Sequence, residues 1–299
     1  MGHTMNLNRY EIFLKVAEIG NITKTAEVLH YTQAGISHAI AALEKEAGVT
    51  LLIRSSNGVA LTENGKRLLT PIQTLVNDQR RLSQTIYEIN KVVAGTLRIG
   101  TFTSVSTHWL PAIIKNFQKL YPQVEFEPLA GDYDDITKRI FSGKIDCGFL
   151  TAPVADDLTF FPLYQDPMMA LLPTDHPLAK KKTLTLSELK KEPFILPMEG
   201  SDNDILAVLN SDNQKINVCY TLNDDFSVMA MVAGGFGITI MSDLILRNTA
   251  FNLAIRPIKP TPYRNIGIAT LPMDRATNLT KIFVPYLSDT DNIDFFKIS

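Results

Sequence analysis

Apolar residues recur at helical spacing through the N-terminal third of the chain. After Gly95 they give way to short runs in which strand-like and helix-like spacing alternate. Leu7, Tyr10, Phe13, Leu14 and Ala17 share one face of a first helix that stops at Gly20. Residues 22–44, ITKTAEVLHYTQAGISHAIAALE, predict two more helices. The first begins around Thr23 and turns Ala26 and Leu29 inward; the second begins near Thr32 and turns Ile36, Ile40 and Leu43 inward. His30 and Tyr31 alone remain between them, which is too short for anything but a sharp corner. Thr32, Gln33, Ser37 and His38 are left outward near the start of the second helix. Hydrogen-bonding side chains at that place suit a helix that reads base edges in a groove. The same pattern also fits an amphipathic hairpin in any soluble protein, and both readings stand at this level.

Gly48 ends the second helix of the pair. LLIRSSNGVALT then reads as two short strands about Ser56-Asn57-Gly58, because Asn-Gly strongly favours a two-residue hairpin. A hairpin directly after a helix-turn-helix is a wing. Arg54 on its first strand is placed for phosphate or the minor groove, or is an ordinary solvated charge. Thr62 is the candidate N-cap of the next helix. From there Leu68, Ile72, Leu75, Gln79, Leu82, Ile86, Ile89 and Val93 recur at spacings of four and three. So narrow an apolar stripe, flanked by Asp78, Arg80, Arg81 and Glu88, calls for a partner helix and predicts self-association. Pro71 lies inside the seam and is expected to bend or locally unwind it.

Beyond Gly95 the runs TLRIG, VEFEPL and IDCGFL read as strands. HWLPAIIKNFQKLYP and DDITKRIFSG between them read as helices. A similar set follows in MMALLP, LSELKK, FILP, DILAVLN, INVCYTL, DFSVMAMVAGG and ITIM. The chain then closes with LAIRPI, NIGIATL and a helix over residues 277–287. Alternating β and α elements mean a mostly parallel sheet with helices on its faces. The fold class expected is therefore α/β, preceded by an all-α winged helix-turn-helix and a long linker helix.

Charge changes this picture little. The 299 residues carry a formal net charge of -2. Over residues 5–66 six basic side chains (Arg9, Lys15, Lys24, Lys45, Arg54 and Lys66) face six acidic ones (Glu11, Glu18, Glu27, Glu44, Glu46 and Glu63). Any DNA affinity must come from placed charges, helix N-termini and pairing of two copies, not from a bulk basic field. No apolar run approaches the roughly 18 residues of a membrane span, and no signal-peptide core is visible, which points to the cytoplasm. Residues 1–4, MGHT, precede a plausible natural start at Met5 and are set aside from the fold reading as a cloning remnant. Cys147 and Cys219 sit in apolar strand-like runs and are expected to be buried, inert thiols. His30, His38, His108 and His176 are scattered, with no metal-ligand spacing. GGFG lacks the lysine of a phosphate-binding loop, and there is no G-x-S-x-G. Neither an enzyme nor a bound cofactor is expected.

The stretch from FLKVAEIGNITKTAEVLHYTQAGISHAIAALE through LIRSSNGVALTENG resembles the LysR-type transcriptional regulators. So do TLRIG, SGKIDCGFL, LLPTDHPLA, LSELKKEPFIL and VAGGFGITIM further on. The resemblance covers nearly all of residues 5–287. It implies a winged helix-turn-helix DNA-binding domain (5–62), a pairing linker helix (63–94) and a periplasmic-binding-protein-like effector domain (95–299). Subdomain I would hold 95–162 with 272–299, and subdomain II 163–271. It implies a homodimer, associating further to a tetramer, on double-stranded promoter DNA, with RNA polymerase open as a further partner. Thr32, Gln33, Ser37 and His38 then fall on the recognition helix and Arg54 on the wing. Two positions depart from the family pattern. Ala34 stands where many members have proline, and His38 where many have arginine, so the bidentate fork toward guanine is missing there.

In such a domain the chain crosses twice between subdomains, here expected at residues 151–163 and near 269–273, and a small-molecule effector binds between them. Thr103 and Ser104, at a strand end and helix start, are candidates to receive a carboxylate; ordinary capping is the other reading. Ser201 and Asp202 begin the matching helix in the second subdomain. Thr151 lies at a strand end by the first crossing, and Phe226 is a candidate apolar wall. Asp132 falls where some family members have a ligand-binding hydroxyl. It would favour an effector with an ammonium or other donor, or simply serve a helix N-terminus beside Asp134 and Asp135. The remaining alternative is a solute-binding protein without a transcriptional role.

Overall fold

A computed structural model describes residues 7–55, 58–90, 92–197, 203–209 and 216–288. The chain forms two compact units. One comprises Met1–Val92 with Ser142–Lys144, the other Val93–Phe141 with Ile145–Ser299.

The first unit holds α1 (Leu7–Ile19), α2 (Ile22–Leu29), α3 (Gln33–Ala47), β1 (Leu52–Ser55), β2 (Gly58–Leu61) and α4 (Glu63–Ile89). Phe13, Val16, Ile36, Ile40, Leu43 and Val76 close its core. The helix expected from Thr23 begins one residue earlier, because Asn21 caps it: Oδ1 accepts from the Lys24 N–H at 3.0 Å. The corner after α2 is made by His30, which takes φ 56°, a left-handed conformation that few residues other than glycine adopt. Strands β1 and β2 pair antiparallel from Leu52↔Leu61 to Ser55↔Gly58, while Ser56 and Asn57 of the expected turn lie outside the described residues. Thr62 caps α4 by accepting from the Gly65 N–H at 2.9 Å. Gly65 must be glycine because a Cβ there would strike the Leu51 carbonyl.

Helix α4 runs unbroken through Pro71, so the local unwinding expected there does not occur. A proline removes one i→i−4 bond, and the 27-residue helix spans that single gap. Its apolar seam divides. Leu68, Ile72 and Leu75 join the core of their own unit. Leu82, Ile86 and Ile89 stand 61%, 49% and 75% exposed.

The second unit is α/β. Its first half holds β3 (Ala94–Thr101), α5 (Thr103–His108), α6 (Leu110–Leu120), β4 (Gln123–Ala130), α7 (Tyr133–Phe141), β5 (Cys147–Thr151) and β6 (Thr159–Pro173). Then come α8 (Leu186–Leu189), β7 (Pro193–Pro197), α9 (Asn203–Leu209), β8 (Asn217–Leu222) and α10 (Asp225–Ala233). It closes with β9 (Thr239–Ser242), α11 (Asp243–Leu246), β10 (Leu253–Pro257), β11 (Tyr263–Thr270) and α12 (Asn278–Ser288). One sheet runs in the order β10-β6-β11-β5-β3-β4, with β9 also on β6; β7 and β8 form a separate parallel pair. Strand β3 is parallel to β4 and β5, whereas β11 is antiparallel to β5 and β6.

Two lobes, each with its own buried core, share this sheet. Ile99, Trp109, Phe117, Phe149, Ile266 and Phe283 belong to the first lobe. Met168, Leu172, Phe194, Ile238, Ile240 and Ile258 belong to the second. Along β6 the core changes between Tyr164 and Met168, and on the return between Ile258 and Ile266. The chain thus passes back at the polar start of β11, earlier than the expected 269–273. NIGIATL is not a strand ending at the crossing; it already packs in the first lobe. At the passage Arg264 stands opposite Asp166 in strand register.

Cys147 is buried in β5, but Cys219 is exposed. Strand β8 is the outer member of a two-stranded sheet, so an apolar-looking run there faces solvent. Among the described residues no helix is long and apolar enough to cross a membrane.

Candidate functional site

Two places gather polar side chains of the kinds expected. The first is the start of α3. Burial of Ile36, Ile40 and Leu43 fixes the rotation of the helix about its axis and leaves Gln33 and His38 exposed and Ser37 half-buried. Thr32 is the N-cap, its Oγ1 accepting from the Gly35 N–H at 3.0 Å. Its hydroxyl proton stays available to an outside acceptor. The positive end of the helix dipole points the same way and favours an approaching phosphate. Beside α3, Tyr31 is exposed and its hydroxyl accepts from Asn8 Nδ2 at 2.9 Å, extending the polar surface by two residues that helical periodicity did not mark. Arg54 is exposed on β1, opposite Val59.

The second place is a cavity of about 370 Å³ in the α/β unit, lined from both lobes. The first lobe contributes Phe102, Thr103, Ser104, Asp132 and Tyr133, and the second Met168, Asp204, Asp225, Met241 and Ile245. Arg264 lies between them. Its Nε and Nη2 donate to Asp166 Oδ2 at 2.9 and 2.8 Å, and Nη2 also reaches Ser104 Oγ at 2.8 Å. Its Nη1 donates to Asp204 Oδ2 at 3.1 Å and to the Tyr133 hydroxyl at 3.2 Å. The guanidinium also lies over the Phe102 ring, 5.4 Å from its centroid. Two hydroxyls bind Asp204 as well: the Tyr133 hydroxyl donates to Oδ2 at 2.6 Å and the Thr151 hydroxyl to Oδ1 at 3.1 Å.

Burial acts on three titratable members of this network, Asp166, Tyr133 and Arg264. Asp166 is fully buried, and desolvation pushes its carboxyl up despite the opposing pull of Arg264. Burial also pushes Tyr133 well up, with the Asp204 charge adding to it, so the hydroxyl keeps its proton and can donate. Burial works against the charge on Arg264, but Tyr133, Asp166 and Asp204 together outweigh it and hold the guanidinium protonated. Asp225 is raised chiefly by burial.

Several expected residues meet here. Thr103, Ser104 and Asp132 line the cavity, and Asp132 also caps α7 by accepting from the Asp135 N–H at 2.7 Å. The capping and cavity-lining readings of Asp132 are therefore compatible. Thr151 is buried beside the cavity and turned to Asp204. Phe226 is a correction: it is 50% exposed on α10 and absent from the lining. Its neighbour Asp225 faces the cavity instead, and Phe102, Met168, Met241 and Ile245 make the apolar wall. One residue along a helix turns a side chain by about 100°, which periodicity in so apolar a segment could not resolve. Ser201 and Asp202 lie outside the described residues. Arg264, Asp166, Asp204 and Tyr133 escaped the sequence reading. The only signal was a charged residue just before each of two strand-like runs, MMALLP and NIGIATL, whose pairing needs the register. Among the described residues no cluster of histidine, cysteine or carboxylate side chains could hold a metal ion.

Comparison with known proteins decides the family. The LysR substrate binding domain matches residues 90–291, and the bacterial regulatory helix-turn-helix of the lysR family matches residues 7–66. The chain belongs to the LysR family. This LysR-family protein is a sequence-specific DNA-binding transcriptional regulator that senses a small-molecule effector between two α/β subdomains. The helix-turn-helix match sets aside the reading as a solute-binding protein. Similar curated proteins include the uncharacterized HTH-type transcriptional regulator YvbU of Bacillus subtilis, 28% identical over 94% of this chain and 97% of its own length. The probable regulator LrrA of Synechococcus elongatus is 31% identical over 89% of this chain and 91% of its own. Full-length CbnR, solved with its target DNA, has the same fold: TM-score 0.71 at 19% identity, covering 95% of this chain and 99% of that one.

Proposed function

We propose that this regulator reads double-stranded promoter DNA with Thr32, Gln33, Ser37 and His38 on α3, while Arg54 on the wing engages the backbone or minor groove. It does so as a homodimer paired through the outer half of α4, with dimers associating into a tetramer. The effector occupies the cavity lined by Thr103, Ser104, Asp132, Tyr133, Asp204, Asp225 and Arg264, and its binding changes the affinity or geometry of the DNA complex. The protein works in the cytoplasm, carries out no chemistry of its own, and is read out through RNA polymerase.

The observation that carries the reading is the α3 surface. Its apolar face is consumed by the core, and hydrogen-bonding side chains remain free in solvent at the end of the helix that meets base edges. Exposure of Leu82, Ile86 and Ile89 on the same heptad stripe supports the pairing. Gel retardation with genomic fragments tests it. Specific retention that steepens with protein concentration as a dimer requires is expected, and no retention at low salt would overturn it.

A further inference from the structure

We infer that the effector carries a cationic nitrogen, a primary amine or an amidinium on a short aliphatic body, received by Asp132 of the first lobe and Asp225 of the second. This rests on the cavity being the effector site. It follows from which polar groups of the cavity are already committed and which are not.

A guanidinium has five N–H donors, and Arg264 spends all five on protein acceptors: two on Asp166, one on Ser104, one on Asp204 and one on Tyr133. None is left for an incoming anion. The place where an effector carboxylate would sit, with donors converging from Tyr133, Thr151 and Arg264, is filled by the protein's own Asp204. The basic residue of the cavity is thus neutralised from within.

What remains facing the space is of the opposite character. Among the described lining residues three carboxylates, Asp132, Asp204 and Asp225, stand against the single cation Arg264, whose charge is already matched by Asp166 and Asp204. Asp132 spends Oδ1 on its cap, while its other oxygen makes no hydrogen bond among the described residues. The Asp225 carboxylate has no hydrogen bond or ion pair among the described residues. Its neighbours Asp224 and Asp204 oppose its charge and only Arg264 supports it. An ammonium supplies three donors and a positive charge, which is what these groups lack. Met168, Ile205, Met241 and Ile245 give the cavity an aliphatic side for a short carbon chain.

The test uses the full chain with methyl-labelled methionine, reading Met168 and Met241 as reporters inside the cavity. Butylamine and 1,4-diaminobutane are the cationic probes, and succinate is the matched dianion. The amines are expected to shift both resonances and succinate to leave them in place. Asp225→Asn and Asp132→Asn, the second still able to cap α7, are expected to weaken the amines about ten- to hundredfold each, the range of one charged hydrogen bond. Fluorescence of Trp109 checks that both variants remain folded. Succinate moving both methionines while the amines do not would overturn the ligand class and leave the cavity reading standing. Amine affinity unchanged in both variants would overturn it as well. Binding by calorimetry with Met168 and Met241 unmoved would overturn the cavity reading and this inference with it.

Discussion

The proposed DNA-reading surface draws on residues 32–54, a single short span of chain, whereas the proposed effector cavity joins residues from Phe102 to Arg264. The first is held by local rules. A cap, a left-handed corner and three buried aliphatics orient α3, and of the side chains proposed to face DNA on it only Thr32, the cap itself, helps to hold the fold. The second is built around groups that hold the fold: Arg264, Asp166 and Asp204 tie the lobes together and line or underlie the cavity. Substitutions should therefore separate binding from stability at the first site and confuse them in the Arg264 network of the second.

The largest effect is expected from Arg264→Ala. It leaves Asp166 buried without its cation, and removing one partner of a buried pair typically costs about 3–5 kcal/mol. Denaturant unfolding followed by Trp109, the only tryptophan and buried in the α/β unit, should report a loss of that size. The loss should shrink in acid. Without Arg264 burial pushes Asp166 further above its ordinary 3.8, so the folded state holds a proton that the unfolded chain has released, and stability rises as pH falls through the folded value. A loss below about 1 kcal/mol, the scale of an exposed pair, would erase the proposed contrast.

Replacing Leu82 and Ile86 by glutamate comes next. Both are exposed on α4, so the folded chain should persist while the oligomer dissociates, as light scattering reads directly. An unchanged particle mass would remove α4 from the pairing surface. Gln33→Ala should weaken specific DNA binding by roughly 1–3 kcal/mol where a base contact is lost, with thermal unfolding unaltered. A stability loss without a binding loss would make the two sites alike. The smallest effect concerns Glu188, which lies outside both sites. Its hydrogen bond from Lys181 and those from the Thr185 backbone and side chain hold it down to about 2. Its contribution to stability is present above the ordinary 4.5 and is lost as pH falls through about 2, with the carboxyl chemical shift as readout.

Legibility followed the same division. Helices α1 to α3, the wing strands and the alternation of the α/β unit all come from periods of 3.6 or 2, which neighbouring residues set among themselves. The candidates Thr32, Gln33, Ser37, His38 and Arg54 were readable because their orientation follows from the buried residues beside them. In the second unit Thr103, Ser104 and Asp132 were readable as strand ends and helix starts. Phe226 and Cys219 were misread, since an apolar run does not say which face of a helix, or which edge of a sheet, is covered. The seam of α4 was visible as a stripe, but not where its own unit stops burying it.

The sequence by itself determined that this is a LysR-type chain: a winged helix-turn-helix, a heptad-striped helix and a two-lobed α/β domain, each written in local spacing and turn chemistry. The tertiary structure decided what the cavity contains. Asp166, Asp204 and Arg264 are separated by long stretches of chain and meet because strand register sets Arg264 opposite Asp166 while lobe packing brings α9 to them. Register and lobe packing depend on the whole sheet, and no short window of sequence carries them.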